Sequence, residues 1–218
     1  MKKISAALLL CGLAAMGAVQ ASPTNFSYAG TFSKDDNVQL FNFSTNGTSL
    51  VSLLSYSWAG GTQSNGNVVS AGGFDPILAL FNASTGAYID QNDDTGSDSC
   101  GGVAIGRDSG SRYDVCFSAT LAAGDYTVAI MEYANFAVGG NLSAGFTRAG
   151  QGNFTGADFG CSNGSFCATQ ARNRSNAWAF DILGAEQASQ TTVPEPSSLL
   201  LVGLALAGVG AMSRRRKV

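Results

Sequence analysis

Between residues 22 and 192 hydrophobic residues recur at every second position in short runs, and this period limits the possible folds more than any other feature of the chain. Apolar and small or polar residues alternate clearly in residues 126–130 and 178–182. Clusters of Gly, Asn and Asp separate the runs, for example at residues 65–67 and 92–96. No long amphipathic helix pattern is present in this part of the sequence. The pattern predicts an all-β domain.

Three of the runs carry more detailed expectations. Residues 50–58 alternate so that Leu50, Leu54 and Trp58 fall on one face of a strand. Residues 77–81 are continuously apolar, which is typical of a central strand. Residues 142–147 are a further candidate strand. Eight or more short strands joined by such turns favour a β-sandwich, which we describe as jelly-roll-like.

The distribution of charge excludes several classes of protein. The chain has no histidine, which rules out Ser-His-Asp and Cys-His catalysis and any histidine-ligated metal site. Half of the twelve basic residues lie at the two ends, so residues 22–193 carry six basic and fourteen acidic side chains, a net charge of −8. A body this acidic offers no complementary surface to a nucleic acid backbone. We therefore expect no nucleic acid partner.

Residues 1–21 have the pattern of a secretory signal peptide. Lys2 and Lys3 provide the positive start, an apolar stretch follows, and small residues precede a cleavage site after Ala21. One alternative is an anchor helix that is not cleaved. The other is a lipoprotein cysteine at Cys11, which the preceding leucine disfavours because lipoprotein signals have a small residue there.

The C-terminal segment has three parts in a fixed order. A proline-containing motif is followed by an apolar run of 14 residues from Leu199 to Met212 and by a basic cluster from Arg214 to Lys217. As a helix the apolar run is about 21 Å long, and flanking side chains can extend it toward the ~30 Å bilayer core. The positive-inside rule keeps the basic cluster in the cytoplasm, which places the body outside the inner membrane. The motif consists of Val193, Pro194, Glu195 and Pro196.

This tail resembles the PEP-CTERM sorting signal of Gram-negative bacteria over residues 193–218. The resemblance implies recognition and cleavage by an exosortase, from a precursor held transiently in the inner membrane by its C-terminal helix. It also implies a final location at the cell surface or outside the cell, in bacteria that make exopolysaccharide and form biofilms. The chain is thereby divided into a signal peptide (1–21), a β-sandwich domain (22–187), a linker with the Pro-Glu-Pro motif (188–197), a transmembrane sorting helix (198–213) and a basic cytoplasmic tail (214–218).

The body resembles the bacterial pre-peptidase C-terminal domain, a small β-sandwich appended to secreted enzymes. The resemblance rests on Phe74-Asp75-Pro76 before an apolar strand, on Asn92-Asp93-Asp94, and on the strand entry Ala123-Gly124-Asp125-Tyr126. It covers residues 28–135. In this chain no catalytic domain accompanies the module.

Four cysteines remain after removal of the signal peptide, and an even number in an exported chain predicts disulfide bonds. Of the three possible connectivities we predict Cys100–Cys116 and Cys161–Cys167, because cysteines close in sequence meet most easily. A four-cysteine zinc site is the alternative, and the lack of any Cys-x-x-Cys pair disfavours it.

An acidic turn is the strongest candidate for a binding site. Carboxylate and amide oxygens at this density suit Ca²⁺, which takes six to eight oxygen ligands. The alternative is a solvated turn in which Asn and Asp side chains cap the backbone. The candidate ligands are Asp75, Asp90, Asn92, Asp93, Asp94 and Asp98.

The sequence favours a non-enzymatic exported protein of the cell surface or extracellular matrix, with exosortase as its processing partner and exopolysaccharide as a further partner. No cofactor other than Ca²⁺ is indicated. The alternatives are a calcium- or glycan-binding module and, less favoured, a secreted hydrolase, because no pair of carboxylates is singled out for catalysis. The aromatic residues available to a glycan site are Tyr56, Trp58, Tyr133, Phe136 and Trp178.

Overall fold

The computed structural model describes residues 24–94, 99–100, 103–104 and 113–191, which form two facing antiparallel sheets with smaller hairpins and loops around them. In chain order the strands are β1 (Thr24–Thr31), β2 (Val38–Thr45), β3 (Ser49–Ser55), β4 (Gly61–Thr62), β5 (Val68–Val69), β6 (Pro76–Asn82), β7 (Tyr88–Asn92), β8 (Ser99–Cys100), β9 (Val103–Ala104), β10 (Cys116–Leu121), β11 (Gly124–Glu132), β12 (Cys167–Ala168), β13 (Arg172–Asn173), β14 (Ala177–Ala185) and β15 (Gln187–Thr191). Sheet A has the order β1-β14-β3-β10, and sheet B has the order β15-β2-β11-β6-β7.

The space between the sheets holds the main apolar core. Phe41 of β2, Leu53 of β3 and Phe180 of β14 are each at most 1% exposed. The rings of Phe41 and Phe180 meet across the two sheets, with centroids 4.8 Å apart. Full burial of a side chain of this kind contributes about 1.5–3 kcal/mol to folding. Apolar residues therefore recur at every second position because alternate side chains of the strands point into this core. The prediction of an all-β sandwich is confirmed.

Strand β3 is buried on both faces, so its alternation alone does not identify the face that meets the core. Leu53 points between the sheets, whereas Leu54 and Tyr56 pack with Ala179 in a separate outer cluster. Leu50, on the same predicted face as Leu54, is 51% exposed.

Sheet B is also covered on its outer face. Strand β6 lies between β11 and β7, as its continuous apolar run predicts. Its outward residues Ile77 and Phe81 pack against the segment that follows β11, including Phe136 and Phe146. Because both faces of β6 are buried, its sequence shows no polar alternation.

The strand predicted over residues 142–147 does not form. The chain makes a short 3-10 helix, Leu142–Ala144, because the Asn141 side chain accepts a hydrogen bond from the Ser143 backbone N–H at 2.9 Å. Such local capping competes with strand pairing.

The sandwich extends beyond its predicted boundary at residue 187. After Ala185 the chain crosses from sheet A to sheet B, and the Glu186 N–H donates to the Ser44 carbonyl at 2.8 Å. Strand β15 then pairs with β2 as far as Thr191 opposite Leu40. Residues 188–191, which the sequence analysis placed in the linker, are therefore part of sheet B. Their polar sequence gave no strand signal, because an edge strand is held mainly by backbone hydrogen bonds.

A long connection between β11 and β14 is fastened to the sandwich through Asp35. This buried carboxylate accepts hydrogen bonds from the Thr155 N–H at 2.8 Å and the Phe166 N–H at 2.9 Å. The connection contains the short α-helix α1 (Thr155–Phe159) and the predicted disulfide Cys161–Cys167, whose Cα atoms are 5.6 Å apart.

Several predictions concern residues that the structure does not describe. The signal peptide, the motif at 193–196, the transmembrane helix at 198–213 and the basic tail lie outside the described residues. Cys116 is disulfide-bonded, while the side chain of Cys100, its predicted partner, lies outside the described part. Over residues 24–94 and 113–191, no helix combines the length and the apolar character needed to cross a membrane.

Candidate functional site

Three strand ends of sheet B bring acidic and amide side chains together at one end of the sandwich. Asp75 precedes β6, Asn92 ends β7, and Glu132 ends β11. The register pairs Glu132 with Pro76 and Asn92 with Leu78, so the three ends lie side by side. We call this cluster the acidic pole; its members are Asp75, Asn92, Asp93, Asp94 and Glu132.

The backbone before β6 holds Asp75 tightly in place. Any side chain at Gly73 would collide with the carbonyl oxygens of Ser57 and Ala177, so only glycine allows this close passage. The Tyr133 N–H donates to the Asp75 carbonyl at 2.9 Å and ties β6 to the end of β11. The Asp75 side chain is thereby fixed inside the acidic pole.

Asp75 is a carboxylic acid in an unfavourable environment for charge. It is 5% exposed, and its Oδ1 atom has no hydrogen-bond partner. Burial is the main reason that its pKa is raised to about 8. The negative charges of Asp94, Asp93 and Asp114 also raise this pKa, and the positive charge of Arg174 lowers it.

Glu132 is a member of the pole that the sequence analysis missed. It is 1% exposed, and its Oε2 atom has no hydrogen-bond partner. Burial, followed by the charges of Asp35 and Asp75, raises its pKa to about 10. A signal was available, because Glu132 continues the inward series of Val128 and Ile130, where an acid is unexpected.

The third unpartnered oxygen of the pole belongs to Asn92, whose Oδ1 atom is buried without a hydrogen bond. Asp93 is half-buried and Asp94 is exposed, so the pole opens to solvent on this side. Partial desolvation of its carboxyl group, and then the charge of Asp93, raises the pKa of Asp94.

The remaining predicted ligands are not part of this arrangement. Asp90 is exposed, lies opposite Leu80 in mid-strand, and accepts a hydrogen bond from the neighbouring Gln91 N–H at 2.8 Å. Asp98 lies outside the described residues. In the described part of the chain, no three side chains drawn from His, Cys, Asp and Glu form a metal-binding group. The pole instead offers two buried carboxyl groups and one amide oxygen.

A basic and aromatic cluster adjoins the pole. The Arg174 guanidinium lies 3.6 Å from the centre of the Trp58 ring, donates through Nε to the Gly73 carbonyl at 2.8 Å, and donates through Nη2 to the Trp58 carbonyl at 2.6 Å. Burial lowers the pKa of Arg174, and the charge of Asp114 opposes that change. This arginine supplies positive charge near Asp75, while these two hydrogen bonds go to backbone carbonyls.

The aromatic residues considered for glycan binding do not form one open surface. Tyr56 and Trp178 are 3% and 5% exposed and belong to the core. Trp58 is covered by Arg174 on one ring face. Tyr133 and Phe136 are partly exposed and pack edge to face, with centroids 5.6 Å apart.

Three surface clefts lie elsewhere on the sandwich. One of about 390 Å³ adjoins β15, one of about 440 Å³ lies beneath the β4–β5 hairpin, and one of about 850 Å³ runs between the start of β2 and residues 142–150. None of the three is lined by Asp75 or Glu132. The acidic pole is therefore a buried cluster with an open margin, distinct from these clefts.

Comparison with known families identifies the tail. Residues 192–217 match the PEP-CTERM protein-sorting motif, which confirms the sequence-based interpretation of this segment. The motif indicates export and membrane-anchored sorting by an exosortase. No curated protein matches the chain. The resemblance of the body to the pre-peptidase C-terminal domain is not supported by a family match and stays a prediction.

Proposed function

We propose that this protein is a non-enzymatic constituent of the cell surface or the exopolysaccharide matrix, whose mature part is the β-sandwich. The observation that carries the proposal is the match of residues 192–217 to the sorting motif. An exosortase would act on the membrane-held precursor and leave the sandwich in the cell envelope or outside the cell.

The end of the sandwich fits this processing. The Gln39 side-chain amide donates to the Thr191 carbonyl at 2.7 Å, and the Thr191 hydroxyl donates to the Leu40 carbonyl at 3.1 Å. Pro194 follows only three residues later, a distance of roughly 10 Å in an extended chain. The folded body would therefore sit close to the membrane when the exosortase acts, and cleavage after β15 would leave sheet B complete.

The distribution of carboxylates supports a role without catalysis. Asp75 and Glu132, the two buried acids of the acidic pole, are at most 5% exposed. A glycosidase needs two carboxyl groups that face a sugar in an open cleft. The chain also lacks histidine as a base. The disulfide Cys161–Cys167 suits an oxidising location outside the cytoplasm.

The test is intact-mass analysis of the protein exported by cells with and without their exosortase. We expect a mature form that ends near Val193 in the first case and an uncut precursor in the second. Replacing Pro194 and Pro196 together by Ala should also block cleavage, whereas Ser198→Ala serves as the matched control. A mature protein that still carries Arg214–Lys217 at its final location would contradict sorting by cleavage. Release of new reducing ends from the cells' own exopolysaccharide by the purified protein would contradict the non-enzymatic role.

A further inference from the structure

We infer that the acidic pole is a binding site for Ca²⁺, to which Asp75, Asn92 and Glu132 contribute side-chain oxygens from three adjacent strand ends. This inference concerns the folded sandwich and goes beyond the sorting of the protein. It differs from the sequence-based expectation, because Glu132 enters the site and Asp90 leaves it.

The first argument is the state of the three oxygens. Asp75 Oδ1, Asn92 Oδ1 and Glu132 Oε2 are buried without a hydrogen-bond partner. Buried polar atoms are nearly always paired, because an unpaired one loses its hydration without replacement. Three unpaired oxygens on neighbouring strand ends of sheet B indicate that their partner is not among the described residues.

The second argument comes from the other buried carboxylates of the same fold. Asp181 accepts hydrogen bonds from the Tyr56 hydroxyl, the Gln63 amide and the Ser64 N–H, at 2.7–3.2 Å. Asp114 accepts from the Ser55 hydroxyl and from two backbone N–H groups, at 2.7–3.1 Å. Asp35 is similarly satisfied by the long connection after β11. The sandwich thus supplies hydrogen-bond donors to Asp181, Asp114 and Asp35. The unpaired oxygens of the acidic pole receive none from the described part of the chain.

The third argument concerns the missing positive charge. Within the described residues the ion pair that forms is Arg148–Asp158, outside the pole. Arg174 is the nearby cation, but it donates to the Gly73 and Trp58 carbonyls and stacks on the Trp58 ring. An external cation that displaces the protons of Asp75 and Glu132 therefore meets no competing ion pair among the described residues.

The chemistry of the ligands selects the cation. All three are hard oxygen donors, and the described part of the pole contains neither a thiol nor an imidazole, which disfavours Zn²⁺ and Cu²⁺. Ca²⁺ accepts irregular sets of six to eight oxygens, whereas Mg²⁺ requires near-ideal octahedral geometry. Asp93 and Asp94, on the solvent side, provide an entry for the ion and further oxygens. Known extracellular Ca²⁺-binding modules have dissociation constants of about 10⁻⁴–10⁻³ M.

The experiment measures thermal unfolding of the full-length protein in detergent, after removal of metal ions, so that the result does not depend on tail processing. Addition of 10 mM Ca²⁺ should raise the melting temperature by several degrees, because the ion binds only the folded state. The same concentration of Mg²⁺ should raise it much less. Binding is measured independently by luminescence of Tb³⁺, which replaces Ca²⁺ and is excited through nearby aromatic rings such as Tyr133.

Glu132→Gln should weaken the apparent affinity for Ca²⁺ and Tb³⁺ at least tenfold, and it should reduce the Ca²⁺-dependent rise in melting temperature. Asp75→Asn should have the same effects. Both variants preserve side-chain shape and replace an acid by an amide that cannot ionise, so the metal-free protein should stay folded. Asp90→Asn is the matched control and should leave Ca²⁺ binding unchanged. The inference is overturned if Ca²⁺ neither shifts the wild-type melting curve nor displaces Tb³⁺. It is equally overturned if Asp90→Asn weakens binding as much as Glu132→Gln does.

Discussion

Asp35 and Glu132 are both almost completely buried, yet among the described residues only Asp35 is surrounded by hydrogen-bond donors. Asp35 fastens the long connection to the sandwich by accepting bonds from Thr155 and Phe166. Glu132 has an unpaired oxygen and a pKa that burial raises to about 10. The difference teaches that burial alone does not define the role of a carboxylate. The donors around it distinguish a structural anchor such as Asp35 from an acid without a partner such as Glu132, which we propose as a Ca²⁺ ligand.

The largest effect is expected from removing the anchor. Asp35→Ala leaves the buried Thr155 and Phe166 N–H groups without an acceptor, which should lower the free energy of unfolding by about 3 kcal/mol or more. Glu132→Gln in metal-free protein should leave it unchanged or raise it, because it removes a buried acid that lacks a partner. Urea unfolding in the presence of EDTA measures both. Equal losses in the two variants would contradict the distinction between anchor and ligand.

The second prediction is the pH dependence of the metal-free protein. Asp75 and Glu132 have pKa values of about 8 and about 10, above those of the unfolded chain, mainly because of burial. The folded state therefore binds more protons than the unfolded state, and stability falls as pH rises from about 5 toward 9. Glu132→Gln should flatten this fall.

Melting curves from pH 5 to pH 9 in EDTA provide the measurement. A melting temperature that rises over this interval would show that the pole is not a proton-binding cluster. The charged groups that act on the two acids are Asp93, Asp94, Asp114 and Arg174 around Asp75, and Asp35 together with Asp75 around Glu132.

A third prediction tests whether the long connection between β11 and β14, which Asp35 holds, is energetically independent of the acidic pole. Replacing Cys161 and Cys167 by Ala opens a short loop near Phe166 and should destabilise the protein by about 2 kcal/mol through loop-closure entropy. The Ca²⁺-dependent shift should stay the same, because this loop contributes no ligand to the pole. Differential scanning calorimetry with and without Ca²⁺ tests this. Loss of the shift would mean that the two regions act as one unit.

The smallest effect is expected at the border of the pole. Arg174→Lys keeps the charge but loses the planar stack on Trp58 and one of the two backbone contacts. We expect a loss of about 1 kcal/mol in unfolding free energy and little change in Ca²⁺ affinity. Arg174→Met also removes the charge and should strengthen Ca²⁺ binding by reducing repulsion of the ion. Titration of both variants with Tb³⁺ compares them, and weaker binding by Arg174→Met would show that the arginine helps to hold the site.

Much of the fold could be predicted from the sequence, because strand period and turn residues are local signals. The central position of β6 followed from its continuous apolar run, and Cys161–Cys167 followed from closeness in sequence. The predictions failed where the outcome depends on partners far away in the chain. The sequence of residues 188–191 indicated a linker, but these residues pair with β2 as an edge strand of sheet B.

The sorting tail and the all-β character were determined by the sequence alone, because each depends on short-range order: three segments in succession at the C-terminus, and apolar residues at every second position. The composition of the acidic pole was decided only by the tertiary structure. Register places Glu132 beside Pro76 and leaves Asp90 in mid-strand, so an acid 57 residues from Asp75 joins it, while one 15 residues away does not. Pairing between strands, which sets these neighbours, joins residues that are far apart in the chain, so the sequence of one strand does not identify its partner strand.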